Sequence, residues 1–212
     1  MKYILILFAV FFLSGCASGK LDYIKPSNQS TNTNTKLIDH SRDLVWNSAV
    51  PELGKNFFII NNLDKSSGLI NISYSGDPEQ YVDCGTITSY VKNARGERSY
   101  KFAGSSAQQT YEVLEGIRLF SVQRKMNLEG RINVIFQEIT PDKTQVTVNT
   151  KYVLTKQGTA IISGDGPRVD FSDTISFGTG SGGSFPIINS QGQSTECIPT
   201  GKLEQSILSL IK

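Results

Sequence analysis

The sequence has few of the side chains from which most enzyme and metal sites are built. Its 212 residues include one histidine, His40, and three cysteines, none of them in a Cys-x-x-Cys pair. A Ser-His-Asp site needs a histidine beside its nucleophile, and zinc sites need clustered histidine and cysteine. We therefore expect no catalytic residues, no metal ligands and no cofactor, and we interpret the chain as non-enzymatic.

Neither sign of charge is in clear excess. The chain has 21 lysines and arginines against 19 aspartates and glutamates, a formal net charge of +2. Domains that bind nucleic acid carry a basic surplus, often clustered on one face. The near balance predicts no nucleic-acid partner.

Only one long apolar run occurs, and it is too short to cross a bilayer. It covers residues 3–13, whereas a membrane-spanning helix needs about 20 apolar residues. Its position behind Lys2 and before small residues is typical of a signal peptide. The residues that end it, Leu13-Ser14-Gly15-Cys16, resemble the bacterial lipobox.

The lipobox resemblance implies a lipid-anchored protein. The signal would be cleaved before Cys16, its sulfur would carry a diacylglyceryl group, and its new amine would be acylated. One acyl chain binds a membrane reversibly, but two or three hold it durably. Ala17 stands where the inner-membrane retention signal has aspartate. By this resemblance the protein is expected at the outer membrane, with its domain facing the periplasm, provided that the host is Gram-negative.

Composition divides the chain into three parts. Residues 1–15 are the signal peptide, 16–36 a lipidated flexible tether, and 37–212 a single α+β domain. Residues 27–35 are only serine, asparagine, glutamine and threonine, which cannot offset the entropy of ordering. The apolar residues Leu21, Tyr23 and Ile24 are either a short partner-binding segment or incidental. The 197 residues left after cleavage suffice for one core.

Cys84 and Cys197 remain once Cys16 is lipidated. An even pair in an exported protein predicts a disulfide bond. The bond would close a loop of more than 100 residues, which contributes up to about 4.7 kcal/mol in the chain-entropy model.

Hydrophobic periodicity predicts a helix, several strands and a closing helix. The strict alternation on both sides of Pro141-Asp142-Lys143 indicates a hairpin, with Ile132, Val134 and Phe136 on its buried face. The predicted elements are a helix from about 41 to 50 that kinks or ends near Pro51, strands at 57–60, 69–74, 86–91, 131–152 and 169–177, and a helix at 203–211. Residues 92–110 read as a surface loop, and 111–130 are ambiguous between helix and strand. This order predicts an α+β fold, an antiparallel sheet with helices packed on one face.

Two patterns imitate functional motifs. Gly178, Gly180 and Gly183 match G-x-G-x-x-G, but Pro186 follows where a phosphate-binding helix would begin. We interpret this segment as a flexible loop. Asp170 and Asp173 form a carboxylate pair on a predicted strand without catalytic context.

One stretch of the chain resembles a known family. The residues that carry the resemblance are Val45, Trp46, Phe58, Ile60, Asp64, Gly68, Ile70 and Tyr74. Their pattern is similar to the helix-grip modules of the BamC-like family of outer-membrane assembly lipoproteins. The resemblance implies a helix-grip-like fold, an envelope location and a role in outer-membrane protein assembly.

Two functions fit these observations. The leading hypothesis is a lipid-anchored envelope protein that docks other proteins, in an outer-membrane assembly or secretion complex. The alternative is a periplasmic binding module for a lipid or a small apolar ligand.

Overall fold

The chain folds as a mainly β protein. The computed structural model describes residues 17–27, 33–56, 58–164, 166–186 and 194–212. Strands account for 62% of the described residues and helices for 13%, with two helices among them. The prediction of an α+β, helix-grip-like fold is therefore wrong. It failed because residues 92–130, left as loop or undecided, are almost entirely strand.

The described elements, in chain order, are β1 Ser18–Ile24, β2 Thr35–Ile38, α1 Arg42–Lys55, β3 Ile59–Asp64, β4 Leu69–Gly76, β5 Val82–Asp83, β6 Thr86–Asn93, β7 Gly96–Ala103, β8 Gln108–Glu115, β9 Arg118–Thr140, β10 Lys143–Ile162, β11 Arg168–Gly178, β12 Gly183–Phe185, β13 Thr195–Pro199 and α2 Lys202–Leu210. Neither helix in this part of the chain has the length and apolarity that crossing a membrane requires.

A long hairpin of β9 and β10 forms the spine of the molecule. The two strands pair from Lys143 opposite Thr140 to Ile162 opposite Phe120. The hairpin predicted around the Pro141 turn is confirmed, and it extends well beyond residues 131–152. We call residues 127–154 the turn half of the hairpin, and residues 118–126 with 155–162 its open half.

The turn half carries the main core. β4 and β3 extend the sheet beyond β9, β2 pairs with the other edge of β10, and both helices pack on the inner face. Trp46 of α1 meets Phe136 edge to face, with ring centroids 5.2 Å apart. From α2, the buried Glu204 accepts a hydrogen bond from the Tyr152 hydroxyl at 2.7 Å. This pairing satisfies a carboxylate that would otherwise be costly to bury.

The open half has a different cover. β8 pairs with β9 and β11 with β10, while a second sheet in the order β1-β6-β7 lies across their inner face. Side chains from both layers form a smaller core of Leu21, Ile87, Phe102, Tyr111 and Val122. The two halves therefore share one hairpin but bury its inner face under different elements.

The structure contains the predicted disulfide bond. It joins Cys84, which precedes β6, to Cys197 in β13, across a sequence separation of 113 residues. Both cysteines are fully buried. Because β6 belongs to the cover of the open half and β13 leads into α2, the bond ties the two halves together.

Part of the predicted tether is ordered. Residues 18–24 form β1, which pairs with β6 from Ser18 opposite Lys92 to Ile24 opposite Thr86. Leu21 is buried in the smaller core, and the Tyr23 hydroxyl donates to the Glu196 carbonyl at 3.0 Å. The expectation of a flexible segment from 16 to 36 is corrected here, because the apolar residues of this segment pack within the domain.

Two further expectations need correction. The loop predicted for residues 92–110 is instead β7 and the start of β8. Its alternation was hidden because β7 faces solvent on one side and carries polar residues there. The helix predicted to kink or end near Pro51 continues to Lys55.

Candidate functional site

A cavity of about 320 Å³ lies inside the open half, between the two sheets. Its walls are mainly apolar, and the largest wall residues are Leu21, Ile87, Tyr111, Phe120, Val122 and Phe171. This volume is at the lower end of the range for small-molecule sites, which are typically apolar with a few polar groups. The cavity is therefore suited to a small, mostly apolar molecule.

Two buried cations line the same cavity. Arg124 of β9 and Lys156 of β10 are only 3% and 4% exposed. Both lie at even-numbered positions of the hairpin, which are the buried ones from 122 to 136 and from 144 to 156. Charged residues are almost never fully buried unless they are paired, so both side chains call for an explanation.

Lys156 has a carboxylate partner. Its Nζ lies 3.3 Å from Oδ2 of Asp173 on β11, and 4.5 Å from the centre of the Phe185 ring. Burial lowers the pKa of Lys156, and the Asp173 carboxylate opposes that effect. This cation is therefore substantially neutralised within the fold.

Arg124 has no such partner in the described part of the chain. Its Nη1 donates to the Gly104 carbonyl at 2.8 Å and its Nη2 to the Ser106 carbonyl at 3.4 Å. Its Nε is buried without an acceptor, and the guanidinium lies 5.3 Å from the centre of the Phe102 ring. Burial lowers the pKa of Arg124. The inner end of the cavity thus holds a positive charge that no side chain in this region neutralises.

Gly158 lets the ring of Phe171 pack closely against the hairpin. It lies opposite Arg124 on one side and Phe171 on the other. A Cβ at this position would come within 2.2 Å of the Gln123 carbonyl oxygen and 2.7 Å of the Phe171 ring. A side chain here would displace Phe171 from the cavity wall.

A row of asparagines crosses the outer face of the turn half. Asn62, Asn71 and Asn133 follow one another on β3, β4 and β9, and Asn149 on β10 lies directly opposite Asn133. The Asn71 amide donates to Asn133 at 2.6 Å, and the Asn34 amide donates to Asn149 at 3.0 Å. We call these five residues the asparagine row. It is a continuous polar strip on a solvent-facing sheet.

The residues singled out in the sequence do not assemble into one site. Cys16 lies outside the described residues. His40 is exposed, and Thr144 donates a hydrogen bond to its backbone carbonyl at 2.8 Å. Asp170 bonds to Thr159 on the outer face of β11, whereas Asp173 faces the cavity, so the two carboxylates do not form a pair.

Among the described residues, the glycine pattern does not form a phosphate site and no metal site is present. Gly183 begins the short strand β12 rather than a helix, so the glycine pattern has no phosphate-binding helix behind it. No group of three or more histidine, cysteine, aspartate or glutamate side chains is placed to hold a metal ion there.

Sequence reasoning missed Arg124 and Lys156. Residues 111–130 were undecided between helix and strand, so no face could be assigned to Arg124. Extending the alternation of the predicted hairpin outward by a few residues would have placed both cations on its buried side. The signal was a charged residue at a position where the alternation requires an apolar one.

No family model, curated protein or solved structure matches the chain. The resemblance to the BamC-like family stays a prediction from the sequence. What can be said of function rests on the geometry above.

Proposed function

We propose that this protein is a non-enzymatic, lipid-anchored binding module of the cell envelope, whose open half holds a small, mostly apolar ligand. The observation that carries the proposal is the cavity of about 320 Å³ between the two sheets. Protein interiors are normally packed as densely as organic crystals, with few voids larger than a water molecule. A concave space of this size, with apolar walls and a few polar groups, is typical of a small-molecule site.

The position of β1 supports a role close to a membrane. Leu21 lines the cavity and lies five residues after Cys16, the proposed lipid attachment site. Five residues span at most about 18 Å even when fully extended. An acylated Cys16 would hold the cavity near the headgroups of the bilayer, from which an apolar ligand could be taken.

Binding of 1-decanol tests the ligand-binding proposal. The probe is dialysed to equilibrium against the full chain in a non-ionic detergent, with protein-free micelles as the blank. We expect saturable binding of one molecule per chain. Ala160→Trp should abolish it, because the indole would fill the cavity that Ala160 lines.

A matched control is Lys151→Trp, on the same strand but with its side chain exposed. This variant should bind 1-decanol as the wild type does. Equal binding to both tryptophan variants, or absence of saturable binding of 1-decanol and of its carboxylate and phosphate analogues to the wild type, would count decisively against the proposal.

Labelled palmitate tests the anchor. We expect the wild type to incorporate palmitate and to fractionate with the outer membrane, and Cys16→Ser to do neither. Recovery of unlabelled wild-type protein in the soluble fraction would overturn the proposed lipidation.

We also propose that the outer face of the turn half contacts another envelope protein. The asparagine row is bordered on that face by large apolar residues left in solvent, among them Leu37 (54% exposed) and Ile135 (36% exposed). Exposed apolar groups beside a polar strip are typical of interaction surfaces. An outer-membrane assembly or secretion complex would supply such a partner.

Site-specific photo-crosslinking in cells tests this second proposal. A photoreactive residue at Asn133 should crosslink to a partner protein, whereas one at the exposed Lys125 of the open half should not. Equal crosslinking at both positions, or none at Asn133, would contradict a specific interface.

A further inference from the structure

The charges that line the cavity indicate the chemical class of the ligand more closely than the shape of the cavity does. A guanidinium has five N–H donors and stays protonated in proteins. In Arg124 two of its nitrogens reach backbone carbonyls, which carry no charge, and Nε has no acceptor. Burying a cation without a counter-charge is expensive, so the site is incomplete as it stands.

The other charges around the cavity do not remove this imbalance. Asp173 is engaged by Lys156 at 3.3 Å, and Glu115 belongs to the exposed end of β8. Arg124 itself contributes to lowering the pKa of Lys156, although burial contributes more. An anion beside Arg124 would supply the counter-charge that this cation lacks.

Both cations lie in the buried part of the lining. Arg124 and Lys156 are buried there beside apolar residues such as Ile87, whereas Phe120 and Phe171 are partly exposed. Apolar walls therefore lead from the buried cations outward to solvent. A ligand that matches this lining has a polar head in the buried part, against Arg124, and an apolar body behind it.

The volume sets how much of that body the cavity encloses. At about 30 Å³ for each water-sized group, 320 Å³ has room for about ten such groups. A single chain of roughly that many carbons fills the space.

We propose that the ligand is a single-chain amphiphile with one anionic end group, a carboxylate or a phosphate, bound head-inward against Arg124. This inference rests on the proposed ligand-binding function and names the chemical class of the ligand. Charge-assisted hydrogen bonds from a guanidinium to such a group are short, frequently bidentate and about twice as strong as neutral ones.

Equilibrium dialysis of three ten-carbon probes tests the inference with the full chain in non-ionic detergent. The probes are decanoate, decyl phosphate and 1-decanol, each corrected with protein-free micelles at pH 8. We expect at least one of the two anions to bind 10-fold or more tightly than 1-decanol. The tighter of the two identifies the end group as carboxylate or phosphate.

Variants of Arg124 assign the preference to this side chain. Arg124→Gln should lower the affinity for the preferred anion 10-fold or more and that for 1-decanol by a much smaller factor, and the 1-decanol binding that remains shows that the cavity is intact. Arg124→Lys should retain an intermediate preference because it keeps the charge but not the fork of donors. If Arg124→Gln does not fold, Arg124→Lys alone tests whether the anion preference depends on this side chain.

The outcomes separate this inference from the proposed function. If 1-decanol binds as tightly as both anions, or if both Arg124 variants keep the full anion preference, the inference is overturned and the ligand-binding function stands. If none of the three probes binds the wild type, both fail.

Discussion

The two halves of the β9–β10 hairpin follow the same alternation but bury different chemistry. In the turn half the inner positions are mainly apolar, as Ile132, Val134 and Phe136 show, and helices cover them. In the open half the inner positions include Arg124, Lys156 and Gly158, and a second sheet covers them. One half is built for stability, and the other leaves a charged space within an apolar lining.

The difference teaches how a single strand pair can serve two purposes. Side chains of helices reach deeply between the residues of a sheet, and α1 and α2 fill the inner face of the turn half. The sheet of β1, β6 and β7 faces the open half without filling it, and Ala160 on the hairpin supplies little volume there. The following predictions test this contrast.

The largest effect is expected from the disulfide bond that ties the halves together. Replacing both cysteines, in Cys84→Ala/Cys197→Ala, should lower the free energy of unfolding by about 4.7 kcal/mol, the chain-entropy value for a loop of about 100 residues. Urea unfolding by circular dichroism measures it, with reduced wild type as the control. A loss below about 1 kcal/mol would show that the two halves hold together without the bond.

Two phenylalanines compare the cores directly. Phe136→Ala should lower the free energy of unfolding by about 3–5 kcal/mol, because Phe136 is fully buried against Trp46. Phe171→Ala should lower it by less than about 2 kcal/mol, since its ring is partly exposed and already borders a space. Equal losses in urea unfolding would abolish the distinction between a filled and an open half.

Breaking the ion pair at the cavity should destabilise the fold, because one charge is then buried without a partner. Asp173→Asn should lower the free energy of unfolding by about 1–3 kcal/mol, because it leaves Lys156 buried alone while Asp173 is itself partly exposed. Lys156→Met/Asp173→Leu should return to within about 1 kcal/mol of the wild type. A double variant less stable than Asp173→Asn would show that the pair itself stabilises the fold.

The smallest effect concerns an exposed carboxylate of the turn half, which should not involve the cavity. Asp64 accepts hydrogen bonds from the Ser66 hydroxyl at 2.6 Å and the Ser67 amide at 3.2 Å, and these lower its pKa to about 2. Between about pH 2 and its ordinary pKa of 3.8, the unfolded chain binds more protons than the folded one. The stability that Asp64 contributes is therefore present above this window and lost as pH falls through it.

Urea midpoints from pH 2 to pH 5 measure this contribution. The difference between wild type and Asp64→Asn should shrink as pH falls from 4 to 2. A difference that stays constant across this range would mean that the turn hydrogen bonds do not act through the ionised carboxylate.

The turn half could be predicted from the sequence far better than the open half. Around Pro141 the alternation is strict, and the structure pairs Val134 with Val148 and Phe136 with Val146. In the open half, β7 and β8 are rich in polar residues, and charged side chains interrupt the alternation of β9. Hydrophobic periodicity reveals a buried strand face only where the buried residues are apolar. Strands that line a charged cavity are therefore not recognised from this pattern.

The sequence by itself determined the pairing of Cys84 with Cys197, the central hairpin and the closing helix, because these depend on local pattern and on counting. Only the tertiary structure decided that residues 18–24 belong to the domain, that the fold is mainly β, and that Arg124 faces an apolar space without a counter-charge. These features depend on contacts between segments far apart in the chain. Whether a polar residue is buried is settled by what packs over it, and the order of residues along one strand does not contain that information.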